Sequence, residues 1–410
     1  MMVRGTRRRM VLAATTTAIA VVPFVGTAAA AHPAHSMSIT PVLSGLAAPR
    51  GIAFDGQGSM YVAESGVAGT GAAGLTHTGK VDKYRWGRTT PSWSTGFDSF
   101  YASEDPSAPP DVLGPEGLSA TTSRCSARDK DRHADAKRGR WHHHGHRKAC
   151  QVSMIMSEST PGIAAASGGA VHAPQAGHLY QLDRRTGTPT DKADVGTQMY
   201  TWTGDHKALF PSDFPDSNPY GVLVTQGRHS DRTRTFVADA GANTISEVMR
   251  NGTARIIAYI PNETTAPFRD TTPTCIAQGP DGWLYVGTLD LAANFGSPTG
   301  NRSKVYRVNP NANYPTRPRR WTSGLTTVTA CTFDRSGNFW ATEMFQGGPA
   351  ASSPGDVVKI PFRHPRHHTR IGFGQLPLPG GIAQGPDGAM YVTVGSSAPG
   401  VSGGVMRIGR

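Results

Sequence analysis

The chain has 410 residues, of which 41 are Lys or Arg and 29 are Asp or Glu, and its formal net charge is +12. Its 49 Gly and 31 Pro residues interrupt long helices and suit short strands joined by turns. This composition argues against a helical bundle or a coiled coil, and the 37% of hydrophobic residues argues against disorder.

The N-terminus, residues 1–31, is predicted to be a secretory signal peptide. Four arginines between residues 4 and 9 precede an apolar stretch from Met10 to Val25, and the small residues Ala28–Ala31 offer a cleavage site. The apolar stretch is shorter than the ~20 residues that a membrane span needs. The mature protein is therefore expected to be soluble and secreted or extracytoplasmic. The arginines leave open whether export is general secretory or twin-arginine.

The positive charge is concentrated in one segment. Removing residues 1–31 lowers the net charge from +12 to +8. Arg124–Lys148 carries nine Lys or Arg and three Asp, a local charge of +6 that leaves +2 for the rest. The basic character is accordingly attributed to an inserted loop, and no specific nucleic-acid partner is predicted.

Four cysteines in an exported chain predict disulfides. Cys125 and Cys150 flank the basic loop and are expected to pair. Cys275 and Cys331 lie on the first strands of neighbouring repeats and form the second expected pair, although a one-residue offset could turn the two thiols to opposite faces. No CxxC spacing is present, which disfavours a thiolate zinc site.

A phrase of about fifteen residues recurs and predicts the fold. The clear copies are Pro49–Glu64, Pro273–Thr288, Thr329–Glu343 and Pro379–Val394, and looser copies begin at Pro115 and Asn218. Each clear copy reads as a strand, a turn rich in Asp and Gly, and a second strand, which is typical of a hairpin. Turn roles are assigned to four aspartates: Asp55, Asp281, Asp334 and Asp387.

Third and fourth strands follow each copy, so the chain is predicted to be all-β, a six-bladed β-propeller with four-stranded antiparallel blades. The last blade has only three strands of its own. Ser38–Leu43 has the pattern of the missing strand and is expected to close the ring. The expected blades are 47–96, 112–205, 214–262, 270–324, 325–374, and 375–410 with 38–46. Residues 32–410 then form one domain, with a basic His-rich insertion at 124–150.

Several segments resemble one family of exported, NHL-like six-bladed propellers, the ScyD/ScyE family. They are the signal peptide, Ile39–Leu46, the Pro-Arg-Gly-Ile-Ala-Phe strand from Pro49, Asp216–Gly221 and Phe236–Asn243. The resemblance covers nearly all of the mature chain and implies a fold and a compartment. It departs at Arg124–Lys148, and it implies no defined activity.

In such a propeller the first strand of each blade starts, and the second strand ends, beside the central axis. The side chains at second-strand ends include Glu64, Glu158, Asp239 and Glu343. Those at first-strand starts include Arg50, Glu116, Asn218, Tyr220, Thr274 and Thr329. Carboxylates, an amide and hydroxyls that converge on one pore could hold a divalent cation or act as a general acid and base.

These residues were assigned three candidate roles. The catalytic candidates are Glu64, Glu116, Asp239 and Glu343. The metal candidates are Glu64, Asn218, Asp239 and Glu343, with Ca or Zn as the divalent cation. The pore-rim ligand-binding candidates are Arg50, Glu158, Tyr220, Thr274 and Thr329. The alternative is structural, because acids at strand ends can accept backbone N–H bonds or pair with Arg50.

The basic loop contains His142, His143, His144 and His146, a weaker metal candidate. Polyanion binding and a functionally silent insertion are the alternatives for this loop. A second basic cluster, Arg363–Arg370, is interpreted as a solvated edge turn. The Gly400–Gly404 segment matches a nucleophile elbow only in spelling, because a strand and no helix follows it. Since no Rossmann or phosphate-loop motif is present, no nucleotide cofactor is predicted.

The leading functional hypothesis is an exported binding or scaffold propeller of the ScyD/ScyE type, with an unknown small molecule or protein bound at its pore face. The alternative is a metal-dependent lactonase or lyase of the sugar-lactone hydrolase type that acts at the axial pore. That alternative rests on an analogy of fold alone.

Overall fold

The structure is a computed structural model that describes residues 37–67, 74–102, 111–121, 150–209, 215–226, 233–263, 270–297, 299–313, 315–345, 354–397 and 402–409. Their strands form six antiparallel sheets that follow one another along the chain. Each sheet is one blade of a six-bladed β-propeller, which confirms the predicted fold. The signal peptide and the loop from 122 to 149, with Cys125 and the four candidate histidines, lie outside the described residues.

Blades 1 to 3 follow strand β1 (Ser38–Leu46). Blade 1 contains β2 (Pro49–Phe54), β3 (Met60–Glu64), β4 (Thr76–Tyr84) and β5 (Trp93–Ala102), and β6 (Asp111–Leu113) adds a fifth strand. Blade 2 contains β7 (Pro115–Ala120), β8 (Val152–Met156), β9 (His178–Leu182) and β10 (Pro189–Asp194). Blade 3 contains β11 (Pro219–Gln226), β12 (Thr233–Asp239), β13 (Thr244–Val248) and β14 (Ala254–Tyr259).

Blades 4 to 6 complete the disc. Blade 4 contains β15 (Pro273–Gln278), β16 (Leu284–Thr288), β17 (Ser303–Val308) and β18 (Arg319–Leu325). Blade 5 contains β19 (Val328–Phe333), β20 (Asn338–Phe345), β21 (Pro354–Pro361) and β22 (Thr369–Leu376). Blade 6 contains β23 (Ile382–Gln384), β24 (Met390–Val394) and β25 (Gly403–Gly409), with β1 as its outer strand.

The hairpins between first and second strands form as their Asp-Gly turns predict. In blade 4 the Trp283 N–H donates to Asp281 Oδ1 at 3.1 Å, and Gly282 has a φ of +82° that favours glycine. In blade 6 the Ala389 N–H donates to Asp387 Oδ1 at 3.2 Å. Asp55 and Asp334 make the equivalent bonds, so the turn role is confirmed for all four aspartates.

Three helices among the described residues interrupt the β-structure and were not predicted. They are α1 (Thr160–Ala166), α2 (Val195–Asp205) and α3 (Leu291–Phe295), and a 3-10 turn at Lys207–Leu209 follows α2. The local signal for α1 is present in the sequence, because Ser159 accepts a bond from the Gly162 N–H and Pro161 occupies the first turn. The repeat copy is looser in blade 2, and α1 lies outside the repeated phrase.

The hydrophobic core is divided among the interfaces between blades. Six clusters of buried side chains fill the six interfaces, one for each pair of neighbouring blades. The cluster between blades 6 and 1 contains Leu43 and Leu46 from β1, together with Phe54, Tyr391 and Val405. The strands β1 and β25 are therefore packed into the core as well as paired.

Strand β1 closes the ring by antiparallel pairing with β25. The register joins Ser38 with Gly409 and Leu43 with Val405, and bulges interrupt the register at two places. This pairing confirms the predicted closure by both chain ends. With β1 in place, blade 6 has four strands, and the ring is closed between blades 6 and 1.

The first strands of neighbouring blades approach closely around the axis. A Cβ added at Gly117 would lie 2.5 Å from the Tyr220 carbonyl oxygen, and one at Gly221 would lie 2.7 Å from the Thr274 carbonyl oxygen. Gly381 and Gly51 meet the next blade in the same way. Glycine is required here because a backbone carbonyl occupies the space that a side chain would take.

The Cys275–Cys331 disulfide joins the first strands of blades 4 and 5, as predicted, with Cα atoms 5.5 Å apart. Closing a loop with a sequence separation of 56 is worth about 4 kcal/mol in the chain-entropy model. Cys150 is also disulfide-bonded, and its predicted partner lies outside the described residues.

Removing the buried side chain of β1 tests the ring closure. Leu43 is 7% exposed, so Leu43→Ala is expected to lower the free energy of unfolding by about 2–4 kcal/mol. Ser44→Ala changes an exposed residue of the same strand and is expected to stay within about 0.5 kcal/mol. Equal melting temperatures for Leu43→Ala and the parent would show that β1 does not carry the closure.

A second prediction concerns the axial glycines. Gly117→Ala is expected to lower the free energy of unfolding by about 1–3 kcal/mol, because its Cβ collides with a carbonyl oxygen that cannot move without its strand. Gly96→Ala is the matched control, since nothing lies within 4 Å of its added Cβ. Urea denaturation measures both. A Gly117 variant as stable as the Gly96 variant would contradict the close approach.

Candidate functional site

A narrow cavity of about 70 Å³ runs along the axis. Each blade contributes to the wall three consecutive residues near the start of its first strand. The first residues of these triplets along the chain are Arg50, Glu116, Tyr220, Thr274, Thr329 and Gly380. Four of the five pore-rim candidates therefore line the cavity. Glu158 does not belong to the lining. Their role in binding a ligand stays a prediction.

The size of the axial cavity limits its contents. A single water molecule needs roughly 10–15 Å³ by this measure, so the cavity holds only a few waters. Pockets for drug-sized ligands have volumes of about 300–1,000 Å³. A sugar lactone therefore does not fit inside the channel, and a ligand of that size would have to bind on a face of the disc.

A buried ion pair joins blades 1 and 2 beside the axis. Arg50 Nη1 lies 3.6 Å from Glu116 Oε1, and the two side chains are 4% and 1% exposed. Arg50 Nη2 also donates to the Val112 carbonyl oxygen at 3.1 Å. The pair therefore links the two blades with both charges withdrawn from bulk water, and both residues also lie in the wall of the axial cavity.

The acids at second-strand ends accept hydrogen bonds from the turns that precede the first strands. The Ala47 N–H donates to Glu64 Oε2 at 2.7 Å, and the Thr326 N–H donates to Glu343 Oε1 at 2.6 Å. In blade 3 the Asn218 N–H donates to Asp239 Oδ1 at 2.8 Å. None of the three acids belongs to the lining of the axial cavity. Each carboxylate instead ties its blade to the incoming chain.

Glu64 lies in a buried charge network of blade 1. Lys80 Nζ is 3.2 Å from Glu64 Oε1 and 3.0 Å from Asp82 Oδ2, and the Tyr84 hydroxyl donates to the same Asp82 oxygen. Burial raises the pKa of Glu64, although the Ala47 N–H and Lys80 act against it. The carboxylate is thus held by protein groups from two strands and a turn.

Asp239 is enclosed by donors of its own blade. The Ser217 hydroxyl donates to Oδ2 at 2.7 Å, and the Ala242 N–H donates to Oδ1 at 2.9 Å, in addition to the Asn218 N–H. Burial raises the pKa of this carboxyl, while the donors lower it. The Asn218 side chain is also used, since its Oδ1 accepts the Glu158 N–H at 3.2 Å.

Glu343 shares one arginine with Asp356, a residue that the sequence reasoning missed. Arg370 Nη1 contacts Glu343 Oε2 and lies 3.3 Å from Asp356 Oδ2, and both carboxylates are fully buried. Burial raises the pKa of Asp356 to about 7. Two buried carboxylates facing a single guanidinium cannot both be neutralised by it, so a proton is favoured on the pair.

Asp356 and Arg370 could not be recognised from spacing, because they lie on the third and fourth strands of the blade. The turn aspartates also hold aromatic residues of the second strand: the Tyr285 hydroxyl donates to Asp281 at 3.0 Å and the Tyr391 hydroxyl to Asp387 at 3.3 Å. These partners are four residues apart in blades 4 and 6, and the equivalent partners in blades 1 and 5 are six residues apart. An aromatic residue at this short distance after each turn aspartate is the signal in the sequence for these pairs.

The four metal candidates are distributed over blades 1, 3 and 5, and each side chain already accepts a hydrogen bond from a backbone N–H of the protein. In the part of the chain that the structure describes, no three His, Cys, Asp or Glu side chains are arranged to hold a metal ion. These residues therefore do not fit a shared divalent-cation site as arranged. Metal binding by them stays a prediction, and the loop histidines lie outside the described residues.

No protein family and no curated protein matches the chain. Virginiamycin B lyase from Staphylococcus aureus is 12% identical over 87% of this chain and 82% of its own, with a TM-score of 0.41. A gluconolactonase from Xanthomonas campestris is 9% identical over 91% and 90%, with a TM-score of 0.45. The PQQ domain of pyranose dehydrogenase from Coprinopsis cinerea is 13% identical over 92% and 96%, with a TM-score of 0.49.

The shared carboxyl pair gives a pH prediction. A carboxyl whose pKa rises from about 4 to about 7 on folding favours the native state at low pH, and this contribution is lost as the pH rises between those values. The free energy of unfolding is expected to fall over that window, and Asp356→Asn is expected to flatten the decline. Asp205→Asn, at an exposed position, is the control. An Asp356→Asn profile parallel to the parent would contradict the raised pKa.

Proposed function

We propose that this chain is an exported β-propeller of the ScyD/ScyE type that acts as a binding or scaffold protein. The observation that carries the proposal is the burial and hydrogen bonding of the three acids at second-strand ends. Glu64, Asp239 and Glu343 are each at most 1% exposed, and each accepts the N–H of the turn before its first strand. Carboxylates in this position stabilise the disc and have no open side for a substrate.

The dimensions of the channel support a partner that binds on a face. Since the axial cavity has a volume of only about 70 Å³, a partner at the first-strand side would contact the rim of the disc. Tyr220 is partly exposed there and lines the cavity mouth. A protein surface suits this shape better than a small molecule, and the pore-rim residues would then be contact residues.

The proposed location is supported by the Cys275–Cys331 disulfide, because such bonds persist in oxidising compartments. No helix among the described residues is long and apolar enough to cross a membrane. The signal peptide that would direct export is a prediction from residues 1–31. Secretion of a reporter fused to these residues would test it.

The alternative, a metal-dependent lactonase or lyase, is favoured by one observation. Burial raises the pKa of both Glu64 and Asp239, and a raised carboxyl pKa is what a general acid requires. A general acid must also reach the proton that it transfers. Both carboxylates are enclosed by donors of the protein, so the blade would have to open before either could act.

Metal analysis of the native protein distinguishes the two functions. The scaffold proposal expects less than about 0.1 Ca or Zn per chain after gel filtration and no change in melting temperature with a chelator, since a bound ion at a saturating concentration would add about 2.7 kcal/mol or more. Glu64→Gln is expected to lower stability without changing metal content, and Asp205→Asn is the control. Stoichiometric metal that is lost in Glu64→Gln or Asp239→Asn would overturn the proposal in favour of the enzyme.

A further inference from the structure

The charge of the propeller is distributed very unevenly among its blades. Residues 291–386, which contain the two outer strands of blade 4, all of blade 5 and the start of blade 6, have eleven Lys or Arg and three acidic residues, a net charge of +8. The rest of the chain without residues 1–31 and 124–148 then carries −6. The net charge of +2 outside the inserted loop is therefore the sum of a strongly basic sector and an acidic remainder. The attribution of the basic character to the inserted loop alone is corrected accordingly.

Part of this charge is exposed on one turn. Residues 363–368 join β21 to β22, and they line an open cavity of about 610 Å³. Arg363, His364, Arg366 and His367 are exposed. The register pairs Asn338 with Pro361 and Glu343 with Asp356, so the turn lies about 16 Å from the buried acids, at the opposite end of the blade. It is thus separate from the axial candidates.

The outer strand of blade 4 brings further arginines to the same place. The Thr322 hydroxyl donates to the Pro365 carbonyl oxygen and lies 3.0 Å from His368 Nε2. The rings of Trp321 and Phe362 are stacked with centroids 6.3 Å apart. These contacts hold β18 against the turn. The rim arginine surface is defined by the exposed arginines of β18 and of the turn: Arg319, Arg320, Arg363 and Arg366.

Among the described residues, the guanidinium groups of this surface have no partner. None of the four forms an ion pair or a side-chain hydrogen bond there, whereas the acids of the sector are engaged elsewhere. Asp334 accepts bonds from Trp340 and Asn338, and Arg370 covers Glu343 and Asp356. Positive charge at the rim is therefore unbalanced locally, and it creates a potential that attracts anions.

We propose that the rim arginine surface binds an anionic polysaccharide that carries sulfate or phosphate groups. The planar guanidinium fork of arginine matches such groups with paired hydrogen bonds. An open surface that spans two blades suits a linear chain with repeated charges. Polysaccharides are the anionic polymers expected outside the cytoplasm, where a disulfide is stable. The turn histidines are not arranged as a metal site.

The test measures binding of heparin, a phosphorylated mannan and duplex DNA to the full mature chain by calorimetry at about 50 and 200 mM salt. The rim variant combines Arg319→Gln, Arg320→Gln, Arg363→Gln and Arg366→Gln. The control variant has the same net charge and changes exposed arginines of blades 1 to 3: Arg85→Gln, Arg88→Gln, Arg185→Gln and Arg250→Gln. All three proteins keep the basic loop, so that loop cannot produce a difference between them.

The rim variant is expected to bind heparin or the mannan at least about tenfold more weakly, with a shallower salt dependence, and the control within about twofold of the parent. The tighter of the two probes identifies the recognised group. The inference is overturned if the parent binds neither polysaccharide, if both variants lose affinity equally, or if DNA binds as tightly with the same dependence on the rim. Should the rim variant melt early, Arg363→Gln with Arg366→Gln is expected to show part of the loss.

Discussion

The architecture depends on how closely the first strands of adjacent blades can approach at the axis. At Gly51, Gly117, Gly221 and Gly381 the backbone carbonyl of the next blade occupies the position of a Cβ atom. Blades 4 and 5 have Cys275 and Ala330 at the corresponding positions of the cavity wall, and there a disulfide joins the two strands. Close contact is thus achieved by omitting a side chain in four blades and by a covalent bond between the other two.

This crowding also decides where binding can occur. A wall built from backbone and small side chains leaves only a thin water-filled channel, and the acids near it are occupied in stabilising the turns between blades. A ligand larger than a few waters would then have to use the two faces or the rim of the disc. Blades 4 and 5 carry exposed arginines at the end of the blade that lies away from Glu343 and Asp356.

The sequence was sufficient for features that repeat. The copy at Pro273–Thr288 predicted β15 and β16, and the missing fourth strand predicted the pairing of β1 with β25. Contacts between unlike strands could not be predicted, because no repeat marks them. The Arg370 contacts with Glu343 and Asp356 and the Thr322 contact with Pro365 depend on how the strands meet in space. The basic sector is present in the sequence, but the net charge of the whole mature protein does not reveal it, because acidic residues elsewhere offset it.

Ring closure also has a consequence for synthesis. The Ser38 hydroxyl donates to the Gly409 carbonyl oxygen across 371 positions of sequence, so the first strand to leave the ribosome is among the last to find its partner. Until the final strand arrives, the nascent chain presents open sheet edges and folds late. A polypeptide that ends early cannot hide these edges, and it remains a substrate for proteases. Closure of the ring by β1 and β25 therefore requires synthesis of the chain through its last blade.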